Sequence, residues 1–464
     1  TLFRSETERT GGLRRYRFNA RLDWSELLGE DGVSTDVHDA WMLLWTAHSD
    51  EPHQVRVGRT RFLVRYLSRP GWARRDGVAA AITPYYTFKA RKTSFHVNLY
   101  DVGTAASLRR SMRLRHLWRL TRVLRRLAGR RPIWLVGELP YKAQDTGYHF
   151  FRYLRHEHPE IDAYYVVEED SPEARNVVPL GNVVFHGTEE HVRVTLRADR
   201  VLGSHHPDFL YPLRTRAFRR AVTGTKIFLQ HGIMGSKWMV PNYGKHVPEF
   251  ETDLFLVSSE RERDYIVRDF GYDPREVVVT GLSRFDSLFA DDVEVRRQLL
   301  IIPTWRDWLQ DDEIYRGSEY HRRWWELLHH PRLHDLARTH GFEIVFCLHP
   351  NMRPFTALFS DAPVRVISQG EVEVQLLLKE SSMLITDYSS PGLDFALLHR
   401  PLAYYQFDRS RFFDANGSHL DLDRDLPGPV VYSADEVLDE SERRATDGFT
   451  MEPEYQERAD RFST

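Results

Sequence analysis

Five polar clusters in this chain carry residue types that bind or move charge. Gln230-His231-Gly232, Gly281-Leu282-Ser283-Arg284, Pro303-Thr304-Trp305-Arg306 and Leu348-His349-Pro350-Asn351 each follow an apolar run of strand character. The fifth, Thr386-Asp387-Tyr388-Ser389-Ser390, runs directly into Pro391. A serine here can simply cap a helix, and proline fits the first helical position, where a missing N–H costs nothing. The same hydroxyls and free backbone N–H groups also suit a phosphate. One histidine after a strand is usually structural, and the chain has 22 histidines. Two histidines, two arginines and a serine pair, all at strand ends, describe a pocket for a doubly charged phosphate group with a candidate general base.

Strand ends must be positioned by strands. After Pro132 the text alternates between apolar β-rich runs and amphipathic stretches. Runs at 133–136, 163–167, 183–185, 201–203 and 226–229 make one series. A second comprises 254–257, 277–280, 299–302, 342–348, 364–367, 383–386 and 402–405. Such alternation predicts an α/β protein with parallel sheets covered by helices. The expectation is two Rossmann-like domains, 132–248 and 249–464, facing across a cleft with ligands at the carboxyl ends of the strands. Residues 1–108 differ. Short candidate strands at Tyr16–Phe18, Trp41–Trp45, Val55–Val57, Phe62–Val64 and Ser94–Tyr100, separated by turns, predict a small β-rich accessory domain, an antiparallel sandwich or barrel.

Between these parts, residues 109–131 read RRSMRLRHLWRLTRVLRRLAGRR, with many arginines and no acid. Leucines recur at helical spacing, with Trp118 on a neighbouring edge. This is a basic amphipathic helix, suited to an anionic membrane interface through Trp118, Arg119, Arg122, Arg125 and Arg126. A linker helix packing its leucine stripe on the next domain is the equal alternative.

The bulk numbers narrow the classes. The chain has 464 residues and a formal net charge of -3, so no global field draws it to nucleic acid. Its only cysteine is Cys347, which rules out an internal disulfide and fits a reducing compartment. No apolar run approaches the ~20 residues that span a bilayer, and no signal-peptide pattern opens the chain. The first residue is Thr1 rather than methionine, as in a piece of something longer. No Walker loop, HExxH or Cys/His zinc pattern is present, and Asp421-Leu422-Asp423, which imitates a metal-binding DxD pair, reads as solvated loop.

QHG after a strand, TGLSRFD, PTWRD, LHP and ITDYSSPGLDFALLHRPLAYY together resemble the CDP-glycerol glycerophosphotransferase family, the teichoic-acid and capsule polyol-phosphate primases and polymerases. The likeness runs from about residue 132 to 440 and also takes in residues 133–167 and Pro427–Val431. It implies a GT-B-like pair of Rossmann-like domains. It also implies transfer of a polyol phosphate, glycerol phosphate foremost, from a CDP-linked donor to a hydroxyl of a lipid-linked acceptor or growing chain, with CMP leaving. It requires no cofactor and no metal. It implies a peripheral protein at the cytoplasmic face of the cell membrane.

Carried over residue by residue, the family's motifs fall on His231 and Gly232, Arg284, Thr304 and Arg306, His349, Ser389 and Ser390, and Asp394. His231 is expected to be the base and His349 to assist catalysis. Arg284, Arg306 and His349 are expected to balance the pyrophosphate, with Gly232, Thr304, Ser389 and Ser390 around it. Asp394 is expected to bind a donor hydroxyl, or simply to compensate the helix dipole. Family members commonly read HGTPLK where this chain reads HGIMGSKW. That moves the lysine to Lys237 and leaves the transferred polyol or sugar open. The alternatives are a GT-B glycosyltransferase using a nucleotide sugar and a non-catalytic membrane adaptor.

Overall fold

The computed structural model describes residues 6–10, 13–17, 37–39, 41–46, 49–56, 71–75, 77–86, 93–247, 250–306, 308–309, 312–369, 372–413 and 417–463. By its internal contacts the chain forms two units. One comprises Thr1–Val123 with Gly187–Leu196 and Tyr211–Thr223, the other Leu124–His186, Arg197–Leu210 and Gly224–Thr464.

The larger unit holds two all-parallel sheets. The first orders its strands Val183–Phe185, Asp162–Val167, Ile133–Gly137, Arg200–Gly203, Thr225–Phe228, Leu254–Val257 and Val277–Val279. The second orders them Arg365–Ser368, Glu343–Leu348, Gln298–Ile302, Met383–Thr386, Leu402–Tyr405 and Val430–Val431. In each the chain starts in the middle, works outward, returns, and works out the other way, which is the doubly wound pattern. The order reverses between Ile133–Gly137 and Arg200–Gly203, and between Gln298–Ile302 and Met383–Thr386. Crevices open at such reversals, outside the carboxyl ends of the strands.

The sequence of the strands follows from this burial. Strands covered on both faces read as unbroken apolar runs, and Leu299, Leu300, Ile301 and Ile302 are all at most 1% exposed. One apolar cluster joins the two halves of the unit: Phe228 and Val257 of the first sheet share it with Leu300, Ile302, Leu384 and Phe395 of the second half. The C-terminal Met451, Ala459 and Phe462 belong to the same cluster.

The sheets divide later than the expected boundary at 248/249. Leu254–Val257 pairs with Thr225–Phe228, and Val277–Val279 pairs in turn with Leu254–Val257. Both strands therefore complete the first sheet, and the second begins at Gln298. Strand-helix alternation continues across the junction, so the change of sheet leaves no mark in the pattern.

In the smaller unit every described strand pair is antiparallel. Four strands form one sheet in the order Val37–Asp39, Thr93–Asp101, Val78–Tyr86, Gly71–Arg75. Ala80, Ile82 and Val97 make its buried core. The expected strand at Phe62–Val64 lies outside the described residues, as do Phe18 and Val57. Two pieces of later sequence belong here. The Tyr100 hydroxyl donates to the Pro212 carbonyl, and its ring would meet a Cβ on Gly187, whose φ is +82°. The expected division at 132 is thus crossed by chain that returns to the N-terminal unit.

The basic segment is not one helix over 109–131. Val102–Arg113 and Arg115–Leu127 are separate helices with Leu114 between them. The apolar side of the second is open, with Leu117, Leu120, Val123 and Leu124 about half exposed and Leu127 80% exposed. Two of the arginines expected to face a membrane are partnered within the larger unit instead: Arg125 with Asp162 at 3.5 Å and Arg126 with Asp199 at 2.7 Å. Trp118 Nε1 and Arg122 Nε are buried. Among the described residues no helix is long and apolar enough to cross a membrane.

Candidate active site

His231 sits just past the strand Thr225–Phe228, beside the reversal of the first sheet. Gln230, immediately before it, is fully buried with φ at +62°, a left-handed conformation that non-glycine residues rarely adopt. Its side-chain amide donates to the Leu256 carbonyl at 2.6 Å, which helps to hold the turn. On the far side, Glu262 accepts from the Met234 and Ser258 N–H groups at 2.8 and 2.6 Å. Burial pushes this carboxyl up to about 7.

The imidazole is oriented as a base would need to be. His231 Nδ1 lies 3.0 Å from the Ser204 carbonyl, which can only accept, so Nδ1 carries the proton and Nε2 keeps its lone pair. Its ring stacks on His205, with centroids 4.3 Å apart and planes 15° apart. The Ser204 hydroxyl in turn meets His205 Nδ1 at 2.9 Å. Burial holds the His231 pKa below its ordinary value, Arg284 adding to the effect and Asp145 opposing it. His205 is held well below its own for the same first reason. Both rings are neutral near pH 7, and a neutral ring can take a proton.

Gly232 shows what lies opposite. A Cβ there would come within 2.9 Å of Ser390 Oγ and 3.2 Å of Ser390 Cβ, with Arg284 Nη2 at 3.7 Å. The histidine loop of the first half and the serine loop of the second therefore meet at a glycine because nothing larger fits. Ser390 is already in helical conformation at the cap of Pro391–Ala396, and its side chain makes no cap hydrogen bond. The simple capping explanation fails for Ser390 on that geometry.

Arg284 ties the two halves together. Nη1 donates to Asp145 Oδ1 and to the His231 carbonyl, both at 2.7 Å, and Nη2 pairs with Asp394 Oδ2 at 2.7 Å. Ser283 Oγ donates to the Thr146 carbonyl, within the first half, at 2.7 Å. Asp145 caps the helix Thr146–Glu157 and lies beside a second acid, Glu138, whose carboxyl burial pushes up. The guanidinium thus balances the protein's own carboxylates before any ligand's. Asp394, expected to bind a donor hydroxyl, is the ion-pair partner of Arg284. Its Oδ1 is buried without a hydrogen-bond partner among the described residues, and burial raises its pKa.

His349 lies at the end of Glu343–Leu348. Its Nδ1 accepts from the Asn351 N–H at 3.2 Å, which leaves Nε2 as the donor. Trp305 stacks on it at 5.9 Å. Burial, then Lys142 and Lys237, holds its pKa down to about 4. Those lysines are therefore its electrostatic neighbours, and Lys142 acts on His205 as well.

Thr304 and Arg306 require a correction. Both were expected to hold phosphate, yet both are engaged inside the second half. Arg306 is 0% exposed and donates to Asp387, to both oxygens of Asp408 and to the Thr304 carbonyl at 2.7–2.9 Å. The rings of Tyr320, Tyr388 and Phe412 surround its guanidinium at 4.8–5.1 Å. Thr304 gives its N–H and hydroxyl to Asp387 Oδ1 at 2.8 and 2.6 Å. They form the frame behind the serine loop rather than its ligand-binding face. Asp423, of the Asp421-Leu422-Asp423 imitation, pairs with Arg409 at 2.6 Å.

His231, Gly232, Arg284, Ser390 and Asp394 are thus in one place, with Ser389 adjoining. Asp145, Ser204, His205 and Glu262 were not legible as site residues. A single acid before a helix reads as a cap, and serine-histidine after a strand reads as a turn.

The model for CDP-Glycerol:Poly(glycerophosphate) glycerophosphotransferase matches residues 121–464. A second, TarS beta-glycosyltransferase C-terminal domain 1, matches residues 1–97, where the sequence offered no resemblance. The minor teichoic acid biosynthesis protein GgaB of Bacillus subtilis is 27% identical over 354 residues, 72% of this chain and 38% of that protein. The teichoic acid glycerol-phosphate transferase of Staphylococcus aureus is 27% identical over 199 residues, 41% of this chain and 48% of the other. The chain spans less than half the length of these relatives. In fold it is similar to the wall teichoic acid polymerase TagF, with a TM-score of 0.56, 17% identity, and coverage of 78% of this chain and 94% of that one. The chain belongs to the CDP-Glycerol:Poly(glycerophosphate) glycerophosphotransferase family.

Proposed function

We propose that this chain transfers a polyol phosphate, glycerol phosphate foremost, from a CDP-linked donor to a hydroxyl of a lipid-linked acceptor or growing chain in teichoic-acid-like or capsule polymer synthesis. His231 Nε2 takes the proton of the acceptor hydroxyl as its oxygen bonds to the donor's β-phosphorus. The bond from that phosphorus to the bridging oxygen breaks, and CMP leaves with the electron pair. Ser389, Ser390 and His349 donate to the pyrophosphate oxygens, and Lys142 and Lys237 balance their charge. Arg284 holds Asp145, Asp394 and the His231 backbone in register. The scheme draws on no cofactor or metal.

The observation that carries this reading is the His231 tautomer: Nδ1 is committed to the Ser204 carbonyl and Nε2 keeps its lone pair, while the next residue, Gly232, faces Ser390. We place the enzyme at the cytoplasmic face of the membrane, held by the open apolar side of Arg115–Leu127 and the arginines flanking it. Incubation with a panel of CDP-alditols and a lipid-linked acceptor, following CMP release and product length, tests the reaction. UDP or GDP release from nucleotide sugars, with no CMP from any alditol, would replace it with the glycosyltransferase alternative.

A further inference from the structure

A cavity of about 230 Å³ lies beside Arg284, between the helix Thr146–Glu157 and the start of Val374–Glu380. Gln375 lines it and donates from Nε2 to the Arg284 carbonyl at 2.8 Å, so the cavity adjoins the cluster around His231. The charges of its described lining residues cancel among themselves. Lys379 pairs with Asp292 and donates to the Ser287 carbonyl, while Arg152 and Glu373 contribute one charge of each sign.

The unusual lining residue is His149. It is 5% exposed, and neither ring nitrogen has a hydrogen-bond partner among the described residues. Burial, then Arg152, pulls its pKa down to about 4, so the ring is neutral at physiological pH. Buried polar atoms are nearly always satisfied, and leaving two unmade is unfavourable. A neutral imidazole offers one donor and one lone pair. A phosphate oxygen would satisfy the first and be repelled by the second, and with no net positive charge the cavity has no other claim on an anion. A hydroxyl answers both, because it accepts and donates, and adjacent hydroxyls answer both at once. A nucleobase would want flat apolar walls, and among the described lining residues Tyr148 is the only aromatic carbocycle.

We propose that this cavity receives an uncharged, hydroxyl-rich unit, a polyol or sugar, with His149 exchanging hydrogen bonds with its hydroxyls. The assignment rests on the transfer reaction above. That unit belongs either to the donor, as the group being transferred, or to the acceptor, as its terminal residue.

Calorimetry on wild type and His149→Phe with CDP, CDP-glycerol and a short glycerol phosphate oligomer distinguishes these. Loss of two neutral hydrogen bonds predicts about 10-fold weaker binding of the ligand whose polyol occupies the cavity. CDP-glycerol weakened identifies the donor's polyol, the oligomer weakened identifies the acceptor's, and CDP alone should be unchanged. His149→Gln, which keeps a donor and an acceptor, should recover part of the loss and guards against a folding defect in the phenylalanine variant. If CDP binding falls equally, the cavity holds the nucleotide and the proposal is wrong. If CDP binds normally and neither polyol ligand is affected, it is also wrong. Wild type that binds no CDP would defeat the transfer reaction itself, and the oligomer would then judge the cavity alone.

Discussion

A histidine becomes a general base through what surrounds it, and His231 owes its tautomer to one carbonyl and its neutrality to burial. The sign of the pH dependence follows. Burial disfavours the imidazolium, so the folded-state pKa lies below the ordinary value of about 6.5. The base is lost only as pH falls through that depressed value, and kcat/KM should be flat from there to neutrality. A pH profile with an acid limb at or above 6.5 would show that a different group titrates. His231, Gly232, Arg284 and the serine pair were legible because their types and their positions after strands point to anion chemistry. Burial was not legible. Arg306 reads in the sequence like Arg284, yet it lies sealed under three aromatic rings. Asp145 and Glu262 were invisible as site residues because their local bonds read as ordinary helix-start contacts, and their telling partners, Arg284 and the Met234 N–H, are distant in sequence.

Two contacts between elements carry predictions of their own. The frame behind the serine loop consists of Arg306 with Asp387 and Asp408. Removing one member of a buried ion pair leaves the others uncompensated, typically at about 3–5 kcal/mol. Arg306→Ala should therefore lower the urea midpoint by that equivalent, whereas a pure ligand-binding arginine would weaken donor binding at unchanged stability. The second contact is the approach of Gly232 to Ser390. Gly232→Ala should lower the melting temperature, because its Cβ would stand 2.9 Å from Ser390 Oγ. Ser390→Gly in the same chain should restore it, since the clashing atoms are then gone. Failure of the second change to rescue the first would mean the loops do not meet there. The strands themselves were largely legible, since buried parallel strands are apolar runs. Their assignment to sheets was not: pairing of Leu254–Val257 with Thr225–Phe228 depends on long-range register, which periodicity does not encode.

For the molecule as a whole, the basic segment is where sequence and structure differ most in meaning. The sequence pattern, a leucine stripe flanked by arginines, suited an anionic membrane interface or a linker helix equally. Yet Arg125 and Arg126 are paired with Asp162 and Asp199, while the leucines are open. Apolar contact should then contribute as much as charge. Replacing Leu117, Leu120 and Leu124 together by glutamate should release the protein from anionic liposomes in a sedimentation assay, with turnover of a short soluble acceptor preserved. Unchanged sedimentation would assign the leucines to another partner. The interleaving of Gly187–Leu196 and Tyr211–Thr223 with the N-terminal unit was beyond the sequence, because it is made by contacts between segments about a hundred residues apart, such as Tyr100 with Pro212.

The central claim is that His231 takes the acceptor's proton, and His231→Gln tests it most directly. Glutamine can still donate to the Ser204 carbonyl but cannot act as the base. Single-turnover rate, donor affinity and melting temperature should be measured on the same preparation. The account predicts a stable, folded variant with near wild-type donor affinity and a rate lower by about 10²–10⁴-fold. A stable variant that turns over at nearly the wild-type rate would contradict it.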